Sequence, residues 1–140
     1  MVEGLACRLA AGRCDERAAR QGAALVEAGR KAVASGSVAR LVAADMRFHD
    51  FLYELSGNPL VARTMDTHWT HAQRVMAEVL TRDETPRDIW DQHAAILDAI
   101  AGADGARAER LARQHITQAA GFMVARLRSA QAPASEETAR

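Results

Sequence analysis

Residues 45–58, DMRFHDFLYELSGN, place two ionisable side chains on a helix face that should be buried. Phe48 and Leu52 recur at helical spacing and define an apolar stripe, and Asp45 and His49 fall on the same stripe one turn apart. An uncompensated polar group in such a stripe costs on the order of a few kcal/mol. The stretch therefore predicts a buried helix face on which these two side chains need a compensating partner.

The composition of the chain bounds its class. Its 140 residues suit one domain with its own core. The 18 Lys and Arg balance the 18 Asp and Glu, which argues against a surface built to hold nucleic acid. Because the sequence has neither an apolar run of membrane-spanning length nor a secretion signal, we expect a cytoplasmic protein with no membrane partner.

The helices can be placed from their capping residues. Almost half of the residues are hydrophobic and no β-branched, alternating run occurs, which indicates an all-α protein. Asp15, Ser37, Asn58 and Asp104 are the predicted caps, with Pro59 in the first turn of the fourth helix. Six helices are predicted over about residues 2–13, 15–34, 37–55, 58–80, 87–101 and 104–129. Short connections favour antiparallel neighbours, so the expected fold is a helical bundle.

Two further helices also place a histidine inside an apolar stripe. The stripe of the fifth helix is Ile89, His93, Ile96, Leu97 and Ile100, and that of the sixth is Ala108, Leu111, Ala112, His115, Ala119 and Phe122. Three neutral imidazoles and a carboxylate suit a divalent transition metal, which would also offset their desolvation. Spacing leaves open a set of separate, hydrogen-bonded core histidines. It favours one shared metal site formed by Asp45, His49, His93 and His115.

The remaining histidines, His68 and His71, lie three residues apart on the fourth helix. No carboxylate accompanies them, so we expect them to contact a ligand or solvent rather than a second metal. Asn58 is a third candidate for orienting a bound effector. Arg74 is a weaker candidate, because it leans toward solvent on the helical wheel and is more simply interpreted as a surface charge.

Four stretches of the sequence together match a known pattern: VEGLACRLAAGRCDE (2–16), DMRFHDFLYELSGNPL (45–60), DQHAAILDAIAGAD (91–104) and ARAERLARQHI (106–116). They resemble the FCD domain, the ligand-binding domain of FadR-type regulators in the GntR superfamily. The family pattern has a Glu before an Ala-rich run, Asp-x-x-x-His, a Gly-Asn-Pro turn, and one His in each of the last two helices. The resemblance covers about residues 3–128. It implies an antiparallel bundle of six to seven helices, with Asp45, His49, His93 and His115 as metal ligands.

The sequence departs from the family pattern at two places. Gln92 stands where the family usually has a Glu before the histidine of the fifth helix. The winged helix-turn-helix domain of complete regulators is expected to be absent, leaving an effector-binding domain over 1–129 and a flexible tail over 130–140. DNA would then be reached only through a winged helix-turn-helix domain outside this chain. The resemblance also implies a homodimer.

We therefore expect a metal-dependent sensor of a small carboxylate metabolite. Four protein ligands on an octahedral ion leave two positions where a carboxylate can bind. Zn is the ion expected in a purified sample, with Ni, Mn or Fe as alternatives. No catalytic residue is expected, because Asp45 is used as a ligand and Asp50 and Glu54 point elsewhere. The alternatives are a metal-dependent hydrolase-like enzyme and a metal-free helical interaction module.

Overall fold

The computed structural model describes residues 2–80 and 86–131, with their side chains except at positions 71, 74–80, 86–87, 126–127 and 130–131. Within these residues the chain forms six α-helices and no strand. The helices are α1 (Val2–Ala11), α2 (Glu16–Ala34), α3 (Val38–Leu55), α4 (Pro59–Leu80), α5 (Pro86–Ala101) and α6 (Gly105–Gln131). The predicted all-α bundle is confirmed. Residues 81–85, between the predicted fourth and fifth helices, and the tail from residue 132 onward lie outside the described residues.

The predicted capping residues begin their helices as expected. The Asp15 carboxylate accepts from the Ala18 N–H at 2.7 Å, and that of Asp104 accepts from the Arg107 N–H at 2.9 Å. The other two caps are Ser37, whose hydroxyl accepts from the Arg40 N–H at 3.4 Å, and Asn58, whose Oδ1 accepts from the Leu60 N–H at 3.0 Å. These bonds satisfy N–H groups that the helix itself leaves free.

Two pairs of packed helices, α2 with α5 and α1 with α6, run antiparallel, and the residues that face each other show their register. In α2, Gly22 lies against Leu97 and Gly29 lies against Trp90, so α5 runs opposite to α2. The positions beside Gly22 and Gly29 are occupied by large side chains of α5, so glycine allows the two helix backbones to approach closely. α1 and α6 are antiparallel as well, because Gly4 faces Arg113 and Arg8 faces Glu109.

The core of the bundle has a larger and a smaller part. The larger part centres on Phe48, Ile96 and Ile100, all fully or almost fully buried. The smaller part surrounds Tyr53 and Trp69, where α3 and α4 meet. No helix within 2–80 and 86–131 has both the length and the apolar character needed to cross a membrane.

One predicted core residue is misplaced. Phe122 continues the apolar stripe of α6 in sequence, yet it is 48 % exposed. Gly4, in the first turn of α1, already lies against Arg113. Because the two helices are antiparallel, α6 extends past the start of α1 before it reaches Phe122. The prediction for Phe122 was wrong because helical periodicity does not show where the packing partner ends.

We predict that Gly29→Ala destabilises the protein by about 1–3 kcal/mol, although alanine is the better helix former. A methyl group at this position would overlap the indole of Trp90, which is itself 2 % exposed and has little room to move. Urea unfolding measures the change in free energy. Gly121→Ala is the matched control, because its added methyl group meets open space and should stabilise α6 by up to about 1 kcal/mol. Equal stabilisation by both substitutions would contradict the close approach of α2 and α5.

Candidate metal centre

The four predicted metal ligands meet in the interior of the bundle. Asp45 and His49 come from α3, His93 from α5 and His115 from α6. Their exposed fractions are 4 %, 4 %, 0 % and 7 %, respectively. Three helices, α3, α5 and α6, therefore bring one carboxyl group and three imidazoles into a single enclosed centre.

The distances within this centre suit a shared ion. Nε2 of His93 lies 3.3 Å from Nε2 of His115 and 3.5 Å from Oδ1 of Asp45, which is 3.9 Å from Nε2 of His49. One ring nitrogen from each histidine lies within 4.8 Å of the other two. Ligand atoms about 2.0–2.1 Å from a tetrahedral Zn are separated by about 3.3 Å, which is close to the spacing of the two nearest nitrogens.

Two buried atoms of the centre have no hydrogen-bond partner among the described protein groups. They are Oδ2 of Asp45 and Nδ1 of His93. An unpaired buried carboxylate oxygen is costly, and a cation is the partner that would relieve that cost. The chemistry of the donors agrees, because imidazole nitrogen and carboxylate oxygen are common ligands of divalent transition metals. The residues present therefore fit a metal ion.

Two further side chains, which we did not assign to the site from the sequence, contact the outer ring nitrogens of two candidate ligands. Oε1 of Glu3 is 3.3 Å from Nδ1 of His49, and Oε1 of Gln92 is 2.8 Å from Nδ1 of His115. Such contacts orient a metal-binding imidazole and fix its tautomer. In the sequence Gln92 was only a departure from the family pattern, but in the structure it contacts one of the clustered histidines. Glu3 could have been found, because it begins the stripe Glu3, Ala6, Cys7, Ala10 on α1.

Glu3 and His49 stabilise each other's charged form. Burial raises the pKa of Glu3, but the hydrogen bond and the charge of His49 outweigh that effect and hold its pKa below the ordinary value. Burial lowers the pKa of His49, but the hydrogen bond that His49 donates to Glu3 and the charge of Asp45 outweigh this effect and raise its pKa. In the metal-free protein, therefore, His49 binds a proton more tightly than an exposed histidine does.

The other two histidines are held neutral. Burial lowers the pKa of His93 well below its usual range, and repulsion from His49 and His115 in their protonated forms lowers it further. Burial and the charge of His49 likewise lower the pKa of His115 to about 4. Burial also raises the pKa of Asp45 to about 6, even though the charge of His49 opposes this shift. Neutral imidazoles present the lone pairs that a metal ion requires.

Aromatic rings line the apolar side of the centre. The ring of Phe48 stacks on that of His93 with centroids 4.4 Å apart, and the edge of Trp90 meets the same imidazole at 4.7 Å. Trp69 lies 5.1 Å from the ring of His49. These contacts lock the imidazoles sterically and exclude water, which strengthens electrostatic interactions inside the centre.

The residues predicted to contact an effector are not gathered in the same way. Asn58 is half-buried and its side-chain oxygen caps α4, while His68 is exposed on α4. The side chains of His71 and Arg74 lie outside the described residues. Their roles toward an effector stay predictions.

The fold and the centre together define a class: an all-α domain built around a buried carboxylate and histidine cluster. A family model of the FCD domain matches residues 1–118. The chain belongs to the FCD domain family, which forms the effector-binding domains of GntR-type transcription regulators.

A solved structure has the same fold. The chain superposes on E. coli McbR/YncC with a TM-score of 0.81 at 14 % sequence identity, covering 89 % of this chain and 63 % of that one. This chain therefore spans less than two thirds of the length of McbR/YncC. No curated protein matches the sequence.

We predict that the metal-free protein is most stable near pH 6.5. Below that pH, His93 and His115 hold fewer protons in the folded than in the unfolded protein, because their folded pKa values are lowered, so stability falls on acidification. Asp45 acts in the opposite sense because its pKa is raised to about 6, but it offsets only one of the two imidazoles. Above pH 6.5, stability falls as the pH rises through the raised pKa of His49.

Urea unfolding in the presence of a chelator, over about pH 4 to 8, measures this profile. His115→Asn removes one of the two lowered imidazoles, so the loss of stability on the acid side should become shallower. An acid limb of unchanged slope in this variant would show that His115 is not held neutral by burial.

Proposed function

We propose that this domain is a metal-dependent sensor of a small carboxylate metabolite. The convergence of ring nitrogens from α3, α5 and α6 beside the Asp45 carboxylate is the observation that supports it. Asp45, His49, His93 and His115 would hold a divalent transition metal. Zn is the ion we expect in a purified sample, with Ni, Mn or Fe as alternatives, because each accepts nitrogen and oxygen ligands.

The side chains divide the work of binding the ion. His93 and His115 offer neutral nitrogens, whereas His49 must first release the proton that Glu3 helps it retain. Metal binding therefore competes with protons at His49. When bound, the ion supplies positive charge and open coordination positions, which favour an anionic ligand such as a carboxylate.

The enclosed position of the centre supports sensing. His115 is the most exposed of the four ligands, at 7 %. Two surface grooves, of about 530 and 440 Å³, lie between α2 and α3 and between α1 and α6, and none of the four ligands lines either one. We infer that an effector reaching the ion would displace part of the wall that the described residues form around the four buried side chains. Binding that requires such a displacement shifts the balance between two packings of the bundle.

In a complete regulator we infer that this shift biases a winged helix-turn-helix domain outside the present chain, within a homodimer acting on DNA in the cytoplasm. Asn58, His68, His71 and Arg74 remain the candidates for contacts with the effector. We assign no catalytic role, because Asp50 and Glu54 are exposed on α3, on a face away from the buried ligands. Turnover of a small ester or amide that depends on Asp45 would instead favour the hydrolase-like alternative.

Metal content tests the proposal directly. We expect untagged protein to hold near-stoichiometric metal by plasma mass spectrometry, and Asp45→Ala, His93→Ala and His115→Ala to lose it. The melting temperature should fall with metal occupancy, because a ligand bound only to the folded state stabilises it by mass action. His68→Ala is the matched control, since it removes an exposed histidine and should leave the metal content unchanged.

A wild-type protein that is metal-free and also refuses added Zn or Ni would contradict the proposal. The four side chains would then be a hydrogen-bonded core, as in a metal-free interaction module. Loss of metal in His68→Ala to the same extent as in His93→Ala would place the ion elsewhere.

The carboxylate part of the proposal has its own test. Small di- and tricarboxylates should raise the melting temperature of the metal-loaded protein, with about 2.7 kcal/mol of stabilisation at a ligand concentration 100 times the Kd. The shift should vanish after metal removal by dialysis against a chelator, followed by exchange into chelator-free buffer. A shift of equal size in the metal-free protein would mean that the carboxylate binds somewhere other than the ion.

A further inference from the structure

Two buried hydrogen bonds and one close contact join side chains of α1, α3 and α4 to His49, one of the candidate ligands. Trp69 donates its indole N–H to the hydroxyl oxygen of Tyr53 at 3.1 Å, and Tyr53 donates its O–H to Oε1 of Glu3. The same oxygen of Glu3 faces Nδ1 of His49 at 3.3 Å. We call Glu3, Tyr53 and Trp69 the Glu3 network.

The direction of every bond in the Glu3 network follows from the chemistry of its members. An indole nitrogen only donates, so the oxygen of Tyr53 accepts from Trp69 and its single proton is free to point at Glu3. A carboxylate only accepts, so Nδ1 of His49 must supply the proton on the other side. The neutral His49 is therefore fixed in the tautomer whose lone pair lies on Nε2, the nitrogen that faces Asp45.

The Glu3 network is buried, which makes its hydrogen bonds costly to break. Glu3, Tyr53 and Trp69 are 8 %, 3 % and 8 % exposed, so water is a poor substitute for any lost partner. Leaving one buried donor or acceptor unpaired costs about 1–3 kcal/mol. Rotation of the His49 ring away from Glu3 would leave such unpaired groups. The Glu3 network therefore opposes rotation of this imidazole.

The support of His115 is different in kind. Gln92, which contacts Nδ1 of His115, donates its amide to Gln118 at 2.9 Å, and Gln118 is exposed. The contact of His115 is with a neutral amide whose further hydrogen bond ends at the surface. The contact of His49 is with the carboxylate of Glu3, whose further hydrogen bonds end inside the protein. Of the two supported histidines, His49 is the one that the interior holds in place.

We propose that Glu3, Tyr53 and Trp69 are positioning residues of the metal centre, which hold His49 with Nε2 directed at the ion. This inference rests on the proposed metal site. None of the three residues is among the four candidate ligands, so each would act through His49.

The test uses Co(II) as the probe, because its visible spectrum reports coordination geometry as well as binding. Tyr53→Phe keeps the ring and removes only the hydroxyl, so we expect about tenfold weaker Co(II) binding, the lower end of the range for partners of metal ligands, and an altered spectrum. Ser56→Ala is the matched control. It also deletes a buried hydroxyl near the end of α3, but among the described residues that hydroxyl bonds to backbone alone, to the carbonyl oxygen of Tyr53 and the N–H of Asn58. It should bind Co(II) like the wild type.

Two substitutions of Glu3 extend the test in case Tyr53→Phe does not fold. Glu3→Ala removes the acceptor and should weaken Co(II) binding by about 100-fold, the upper end of the same range. Glu3→Gln keeps an oxygen that accepts from His49 and Tyr53, so it should recover much of the lost affinity. A role limited to stability would lower the melting temperature without this graded recovery or a change in the spectrum.

The outcomes separate the two proposals. Wild-type affinity and spectrum in Tyr53→Phe and Glu3→Ala would overturn the role of the Glu3 network and leave the metal site intact. Failure of the wild type itself to bind Co(II) or Zn would overturn the metal site, and this inference with it. Weaker binding in these variants but not in Ser56→Ala supports the assignment.

Discussion

The structure depends on placing four ionisable side chains where water cannot reach them. Asp45, His49, His93 and His115 sit at the junction of α3, α5 and α6, and burial penalises the charged form of each. The surrounding core answers that penalty in different ways. His93 and His115 are kept neutral, whereas His49 is compensated by the carboxylate of Glu3. Oδ2 of Asp45 has no hydrogen-bond partner among the described residues, and a bound cation would supply one.

Much of this arrangement could be predicted from the sequence because it depends on local periodicity. Asp45 and His49 are one turn apart, and His93 and His115 interrupt apolar stripes, so each was expected on a buried face. The caps at Asp15, Ser37, Asn58 and Asp104 were predictable for the same local reason. What periodicity could not supply was the register between helices. The apolar stripes and the resemblance to the FCD family both indicated the same four ligands, but neither gave the distances between them.

The residues that were missed or misplaced depend on that register. Gln92 lies on α5 but contacts His115 on α6. The packing of the two helices brings its Oε1 to 2.8 Å from Nδ1 of His115. Phe122 has the right periodicity for the core but lies beyond the end of α1. Glu3 is the exception, because a lone carboxylate at the start of the stripe on α1 was visible in the sequence. Its partner, His49, lies on another helix, so the sequence did not show which side chain Glu3 contacts.

The register itself is set by small residues on α2. Gly22 and Gly29 let α5 approach so closely that Leu97 and Trp90 occupy the space of the missing side chains. The ring of Trp90 packs perpendicular to that of His93. The close approach of α2 and α5 therefore helps to position an imidazole of the candidate metal centre. A domain that must hold three rings at fixed separations has little tolerance for larger residues at these positions.

Both tryptophans of the chain lie against histidines of this one centre, Trp69 beside His49 and Trp90 beside His93. The indole emission of the whole molecule therefore originates within a few ångströms of the same point. In most proteins, intrinsic fluorescence averages over scattered tryptophans. Here both tryptophans report on the same centre. The domain carries an optical probe of its own interior without any added label.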